Sequence, residues 1–191
     1  LIKYGLTKST NTTIFLPNTY EVYWDITPTD LIEKMKKEYD RFWNEERTTK
    51  LVRCGLSKAE VSTLASIVEE ETVKKDERPI VAGIYLNRLR IGMPLQADPT
   101  IKYAMQDFSI KRILNIHRQV DSPYNTYNKQ GLPPGPIRIA SQDGIDAVLN
   151  YVEHKYLYMC AKSDFSGYHD FAQTYDEHLK NANKYHKELD R

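Results

Sequence analysis

Residues 64–72 read Leu-Ala-Ser-Ile-Val-Glu-Glu-Glu-Thr, and the placing of the three glutamates in that run decides how the chain is read. At 100° per residue from Val61, Leu64 falls at about 300°, Ala65 at about 40°, Ile67 at about 240° and Val68 at about 340°, one apolar stripe. Glu70 falls at about 180°, facing solvent, and Glu69 at about 80°, on the flank. Glu71 falls at about 280°, inside the stripe between Ile67 and Leu64. A carboxylate that faces a core is costly unless paired or protonated, and desolvation raises its pKa. A protein keeps a general acid loaded near neutral pH in this way. The same position also suits a buried glutamate paired with an arginine such as Arg78 or Arg88.

The helix around this run is announced by Ser57-Lys-Ala-Glu60, a capping box. Upstream, apolar residues from Leu31 to Trp43 predict a helix over about 29–47. Residues 11–26 are β-branched and aromatic around a Pro-Asn turn signal and read as short strands. Downstream, Pro79 suits the first turn of a helix through Ile80–Arg90 that Gly92 ends. The prolines of 92–100 read as irregular backbone. Residues 122–136, rich in Pro, Gly, Asn and Tyr, make a long loop of the kind usually tied to function. A helix over about 141–153, a strand over 156–162, a turn at 164–167 and a return strand near 169–173 follow. Thr174-Tyr-Asp-Glu177 is a second capping box, opening a helix to about Leu189. Helices and hairpins without βαβ alternation predict an α+β fold, mixed helices with short antiparallel strands around one core spanning 1–191.

Composition excludes several classes. The 191 residues carry a net charge of +1, which gives no field for nucleic acid or an anionic membrane. No basic run with interleaved aromatics points to nucleic acid. Five histidines and two cysteines show no metal-ligand spacing, so neither a metal nor a cofactor is expected, and one Cys54–Cys160 bridge stays open. The 14 tyrosines suit either sugar-facing surfaces or ordinary core. Besides Glu71, polar groups on proline-fixed or irregular backbone, Gln96, Asp98, Tyr124, Asn125 and Tyr127, have the character of a sugar or peptide site. Each also has a plain structural reading. Asp98-Pro-Thr100 suits a helix start, and the tyrosine loop suits a surface turn.

Five blocks together resemble the YceG-like (MltG) family of endolytic murein transglycosylases: Leu64–Thr72, Glu77–Thr100, Tyr124–Tyr127 (YNTY), Gly131–Ile137 (GLPPGPI) and the tail from Tyr156 through His169, Phe171 and His178. Leu16-Pro-Asn-Thr-Tyr20 is similar to a further family element. The resemblance implies lyases that cut the β-1,4 bond between N-acetylmuramic acid and N-acetylglucosamine within nascent peptidoglycan, leaving 1,6-anhydro ends. It places the catalytic glutamate directly before the Thr of the Glu-Thr pair, at Glu71, acting as acid and then base. It implies Glu69 as a supporting group, with Gln96, Asp98, Tyr124, Asn125, Tyr127 and His169 as substrate contacts. His169 is equally readable as a packed imidazole. Some relatives have lysine at position 70, where little effect is expected.

The resemblance also implies peptidoglycan strands and cell-wall synthases as partners. It further implies a cell-envelope location, with the catalytic part outside an inner-membrane anchor. The family's membrane helix and LysM-like domain are not recognisable here, so a fragment beginning just before the catalytic part is expected. Two other readings stay open: a water-using muramidase with Asp98 as second carboxylate, and a non-catalytic glycan-binding scaffold.

Overall fold

The structure is a computed structural model that describes residues 2–190; Leu1 and Arg191, the ends of the expected catalytic unit, lie outside the described residues. Among these, seven α-helices and one antiparallel pair of strands give an α+β fold. The helices are α1 (Pro28–Phe42), α2 (Glu45–Cys54), α3 (Lys58–Glu71), α4 (Arg78–Arg90), α5 (Asp98–Met105), α6 (Gln142–Leu149) and α7 (Tyr175–Leu189). Strands β1 (Tyr158–Ala161) and β2 (His169–Ala172) pair in the register Tyr158 with Ala172 and Ala161 with His169.

The core sits around α3. Every residue from Val61 to Glu69 is buried, so the helix is enclosed on all sides over that stretch and not along one stripe. It packs against α4, α5 and α6, and α7 covers the strand pair. Enclosure buries Ser62, Thr63 and Ser66, whose hydroxyls donate to the carbonyls of Lys58, Ala59 and Thr63. Ser66 Oγ also accepts from the Ile137 amide at 3.0 Å, tying the Pro-rich segment to the core. Both capping boxes form, at Ser57–Glu60 and Thr174–Glu177.

Three sequence expectations are corrected. The helix expected over 29–47 stops at Phe42 and a second one follows. Asn44 accepts from the Arg47 amide as N-cap, Glu45 and Glu46 sit favourably in the first turn, and Gly55 closes α2 in the left-handed conformation at φ 69°. The strands expected within 11–26 do not form. Asn11–Ile14 is a 3-10 turn, Ile14 and Leu16 anchor in the core, and Tyr23 and Trp24 are exposed. β-propensity describes fit to a pleated surface, and no neighbouring strand here offers one. The expected irregular segment 92–100 is likewise shortened, because α5 starts at Asp98. Cys54 and Cys160 are free thiols, Cys54 buried with Sγ against the Val148 carbonyl. No helix among the described residues is long and apolar enough to cross a membrane.

Candidate active site

The C-terminal end of α3 meets α4, the start of α5, the loop around Arg118–Tyr127, the strand pair and α7 at a cleft of about 480 Å³. Glu71, Gln96, Asp98, Tyr127 and His169 all line it. The backbone reason lies in Thr126, which is buried between the two polar segments. Its carbonyl accepts from Gln96 N at 3.0 Å, its Oγ1 accepts from Ala97 N at 3.0 Å, and the same hydroxyl is 2.8 Å from Thr100 Oγ1. Gln96 takes φ 51°, a left-handed value uncommon for a residue with a side chain and one that marks over-determined local structure. Pinned in this way, the 96–98 segment brings Asp98 to Tyr127, whose hydroxyl donates to Asp98 Oδ1.

Glu71 Oε1 accepts from the hydroxyl of Tyr85, a fully buried residue of α4, at 2.8 Å. The Glu71 carboxyl is pushed up to about 7, first by burial, with Asp98 and Glu70 adding repulsion. The Tyr85 hydrogen bond and the Arg88 charge pull the other way. Burial dominates because removing a carboxylate from water penalises its charged form more than one hydroxyl bond repays. No ion pair with an arginine holds Glu71 among the described residues; Arg88 is committed elsewhere. Its Nε donates to Leu157 O at 2.7 Å and its Nη1 to Leu95 O, fastening α4 to both cleft walls. Burial raises the Tyr85 phenol well above its ordinary value, so it remains a proton donor to Glu71.

Three of the expected site residues, the supporting Glu69 and the contacts Asn125 and Tyr124, make these bonds and contacts within the protein. Glu69 is buried at 7% exposure, bonded to Ser141 N at 3.0 Å and to Arg78 Nη1 at 3.3 Å, and it organises the N-terminus of α6. Asn125 is fully buried and donates to the carbonyls of Arg118 and Val120, so it shapes the loop. Tyr124 packs on Tyr103 with ring centroids 4.7 Å apart, lining a separate groove. Asn125, on irregular backbone, serves the loop's own carbonyls, whereas Glu69, on helix α3, serves the first turn of α6. Glu70 is exposed and pairs with Arg138 at 2.7 Å.

Other residues of the cleft were not among the expected substrate contacts. Tyr85, Arg88, Arg118, Tyr158, Tyr175 and His178 line it as well. Arg118 lies in the weakly patterned 106–121 segment, and its guanidinium sits 4.6 Å above the Tyr127 ring. Arg118 Nε and His178 Nδ1 are buried polar atoms without a hydrogen-bond partner among the described residues, and both side chains line the cleft. Among the described residues no group of three or more His, Cys, Asp or Glu could hold a metal ion.

The comparisons with known proteins fit this geometry. The model of the YceG-like family matches residues 3–184. The chain belongs to the YceG-like family. This YceG-like chain is 37% identical over 161 residues to a protein of Bacillus subtilis (strain 168) named endolytic murein transglycosylase, covering 84% of the chain and 44% of that relative. A protein of the same name from Streptococcus pneumoniae serotype 2 is 33% identical over 170 residues, 87% of the chain and 30% of the relative. The chain thus spans less than half the length of the curated relatives it matches. A crystal structure of a YceG-like protein from Listeria monocytogenes superposes with a TM-score of 0.75 at 32% identity, covering 88% of this chain and 54% of that one.

Proposed function

We propose that this YceG-like chain is the catalytic part of an endolytic lytic transglycosylase that cuts glycan strands of nascent peptidoglycan with Glu71 as its single acid and base. The observation that carries the reading is the Glu71 carboxyl in the cleft, held by Tyr85 and pushed up to about 7. A general acid works best with a pKa near the operating pH. The names of the relatives support the substrate class.

The reaction balances with one carboxyl. Protonated Glu71 gives its proton to the glycosidic oxygen as the bond from that oxygen to muramic C1 breaks and positive charge develops at C1. The resulting carboxylate takes the proton of the C6 hydroxyl of the same sugar, and O6 bonds to C1. The 1,6-anhydro end forms, Glu71 is again protonated, and no water is consumed. Gln96, Asp98, Tyr127, Arg118 and His178 are the polar groups proposed to meet the sugars. In the cell the chain would act at the outer face of the cytoplasmic membrane on strands delivered by synthases.

Mass spectrometry of digested peptidoglycan tests the reaction. Anhydro ends, one water lighter than reducing ends, are expected; reducing ends alone would make the chain a muramidase, with Asp98 as its second carboxylate. Glu71→Gln should abolish cleavage while the fold persists. Unchanged cleavage in that variant would remove Glu71 from the mechanism. No cleavage by the parent chain under any condition would favour a glycan-binding scaffold.

A further inference from the structure

Next to the cleft-lining His169 lies a carboxylate that the mechanism above does not use. Glu77, at the N-terminus of α4, is 4% exposed, yet it forms no ion pair with lysine or arginine among the described residues. Instead, three groups occupy its two oxygens. The His169 backbone amide donates to Oε1 at 2.8 Å, His169 Nδ1 lies 2.9 Å from Oε2, and the Thr72 hydroxyl donates to Oε2 at 3.2 Å. The Thr72 hydroxyl in turn accepts from Lys74 N at 3.0 Å. Thr72 is the residue directly after Glu71 and caps α3, while His169 begins β2 and lines the cleft. One buried carboxylate therefore fixes both the end of the helix that carries Glu71 and an imidazole that lines the same cleft.

The two bonds from Glu77 to His169 differ in what they do. The backbone bond alone would anchor the start of β2. The side-chain bond adds something that anchoring does not need, since it commits Nδ1 while Nε2 of this cleft-lining ring has no hydrogen bond among the described residues. A carboxylate that accepts from one imidazole nitrogen sets the tautomer and the ring plane for whatever the other nitrogen meets. Buried carboxylates are costly, and one retained for a histidine in a polar cleft has the character of a positioning group.

We infer that Glu77 is a positioning residue and that His169 is a substrate-contacting residue whose Nε2 accepts a hydrogen bond from a hydroxyl or acetamido N–H of an amino-sugar unit in the cleft. The inference rests on the glycan-binding part of the function proposed for the same cleft, so its test is a binding measurement that needs no turnover. The Glu71→Gln protein is titrated calorimetrically with a tetrasaccharide of alternating N-acetylglucosamine and N-acetylmuramic acid. His169 is then varied in that background. The amide of Asn reaches where Nδ1 was, and the amide of Gln reaches where Nε2 was.

If Nε2 contacts the sugar, His169→Asn keeps the Glu77 bond and the melting temperature but binds about tenfold more weakly. His169→Gln should bind within about threefold of the parent while melting lower. The reverse pattern, affinity kept by Asn and lost by Gln in step with stability, would make the pair purely structural and overturn the inference. Glu77→Gln, read by the ¹⁵N shifts of the His169 ring, should remove the preference for a proton on Nδ1. Unaltered shifts would overturn the positioning role even if the variant binds normally. Should the parent bind the tetrasaccharide without cutting any glycan, the catalytic reading fails while this one stands.

Discussion

In the unfolded chain the Glu71 carboxyl titrates near the ordinary glutamate value of 4.5, and in the folded protein it titrates at about 7. Because the folded value is the higher one, the folded state binds this proton more tightly. Its stabilising contribution is complete below pH about 4.5 and is lost as pH rises through about 7. Glu71→Gln never carries the charge. The variant should therefore melt with the parent near pH 4 and melt higher at pH 8, with a difference of up to about 3 kcal/mol in unfolding free energy. Equal stability at pH 8, followed by denaturant unfolding, would mean that the carboxyl is better solvated than its surroundings imply. Tyr85→Phe tests the opposing force. The lost hydroxyl bond lowers the Glu71 value, so its removal should move the alkaline limb of the cleavage pH profile upward. It should also slow cleavage about tenfold, the worth of one hydrogen bond to a charged or developing-charge group.

At the scale of elements, the fit between α3 and α6 sets where the site can be. Gly144 of α6 lies so close to Glu69 that an added Cβ would sit 2.6 Å from its carboxyl carbon, and the Ser141 hydroxyl that caps α6 at the Gly144 amide also donates to Glu69. Gly144→Ala should thus cost about 1–3 kcal/mol of stability despite the better helix propensity of alanine, because the buried carboxylate must shift from its partners. Chemical denaturation checks the sign, and a stabilised variant would show that the α3–α6 seam can relax. Arg47 makes the corresponding link for α2, with Nε and Nη2 donating to the Asp146 carboxylate at 2.7 and 2.8 Å. α2 escaped the sequence reading because Cys54 is its one buried residue. Its apolar stripe is nearly absent, and its bounds are set by the caps Asn44 and Gly55.

Across the whole molecule, the two cysteines report on the integrity of the cleft. Cys160 on β1 lines it and Cys54 lies in the helical core, and burial raises both thiols, Cys160 also through Asp170. A bulky maleimide at pH 8 should label one thiol slowly in the native protein, Cys160, and both after unfolding. The Cys160 adduct should block cleavage by filling the cleft. Two labels at equal rates on folded protein would contradict the enclosed position of Cys54.

The sequence by itself determined the elements with strong local chemistry: the capping boxes at Ser57 and Thr174, the helix ended by Gly92, the hairpin around residues 164–167 and the α+β class that they add up to. It also singled out Glu71 by period alone, although the premise of a one-sided helix was wrong. Glu71 faces the cleft because enclosure of α3 ends at Glu69, a fact of packing and not of pattern. Tertiary structure alone decided which polar groups share the cleft. Local spacing could not separate Gln96 and Tyr127, which face it, from Asn125, which closes its own loop, or from Glu69, which caps a helix by way of Ser141. Nor could it reveal Tyr85 and Glu77. Their roles depend on contacts across 14 and 92 residues of sequence, and such contacts exist only once the helices and the strand pair have packed.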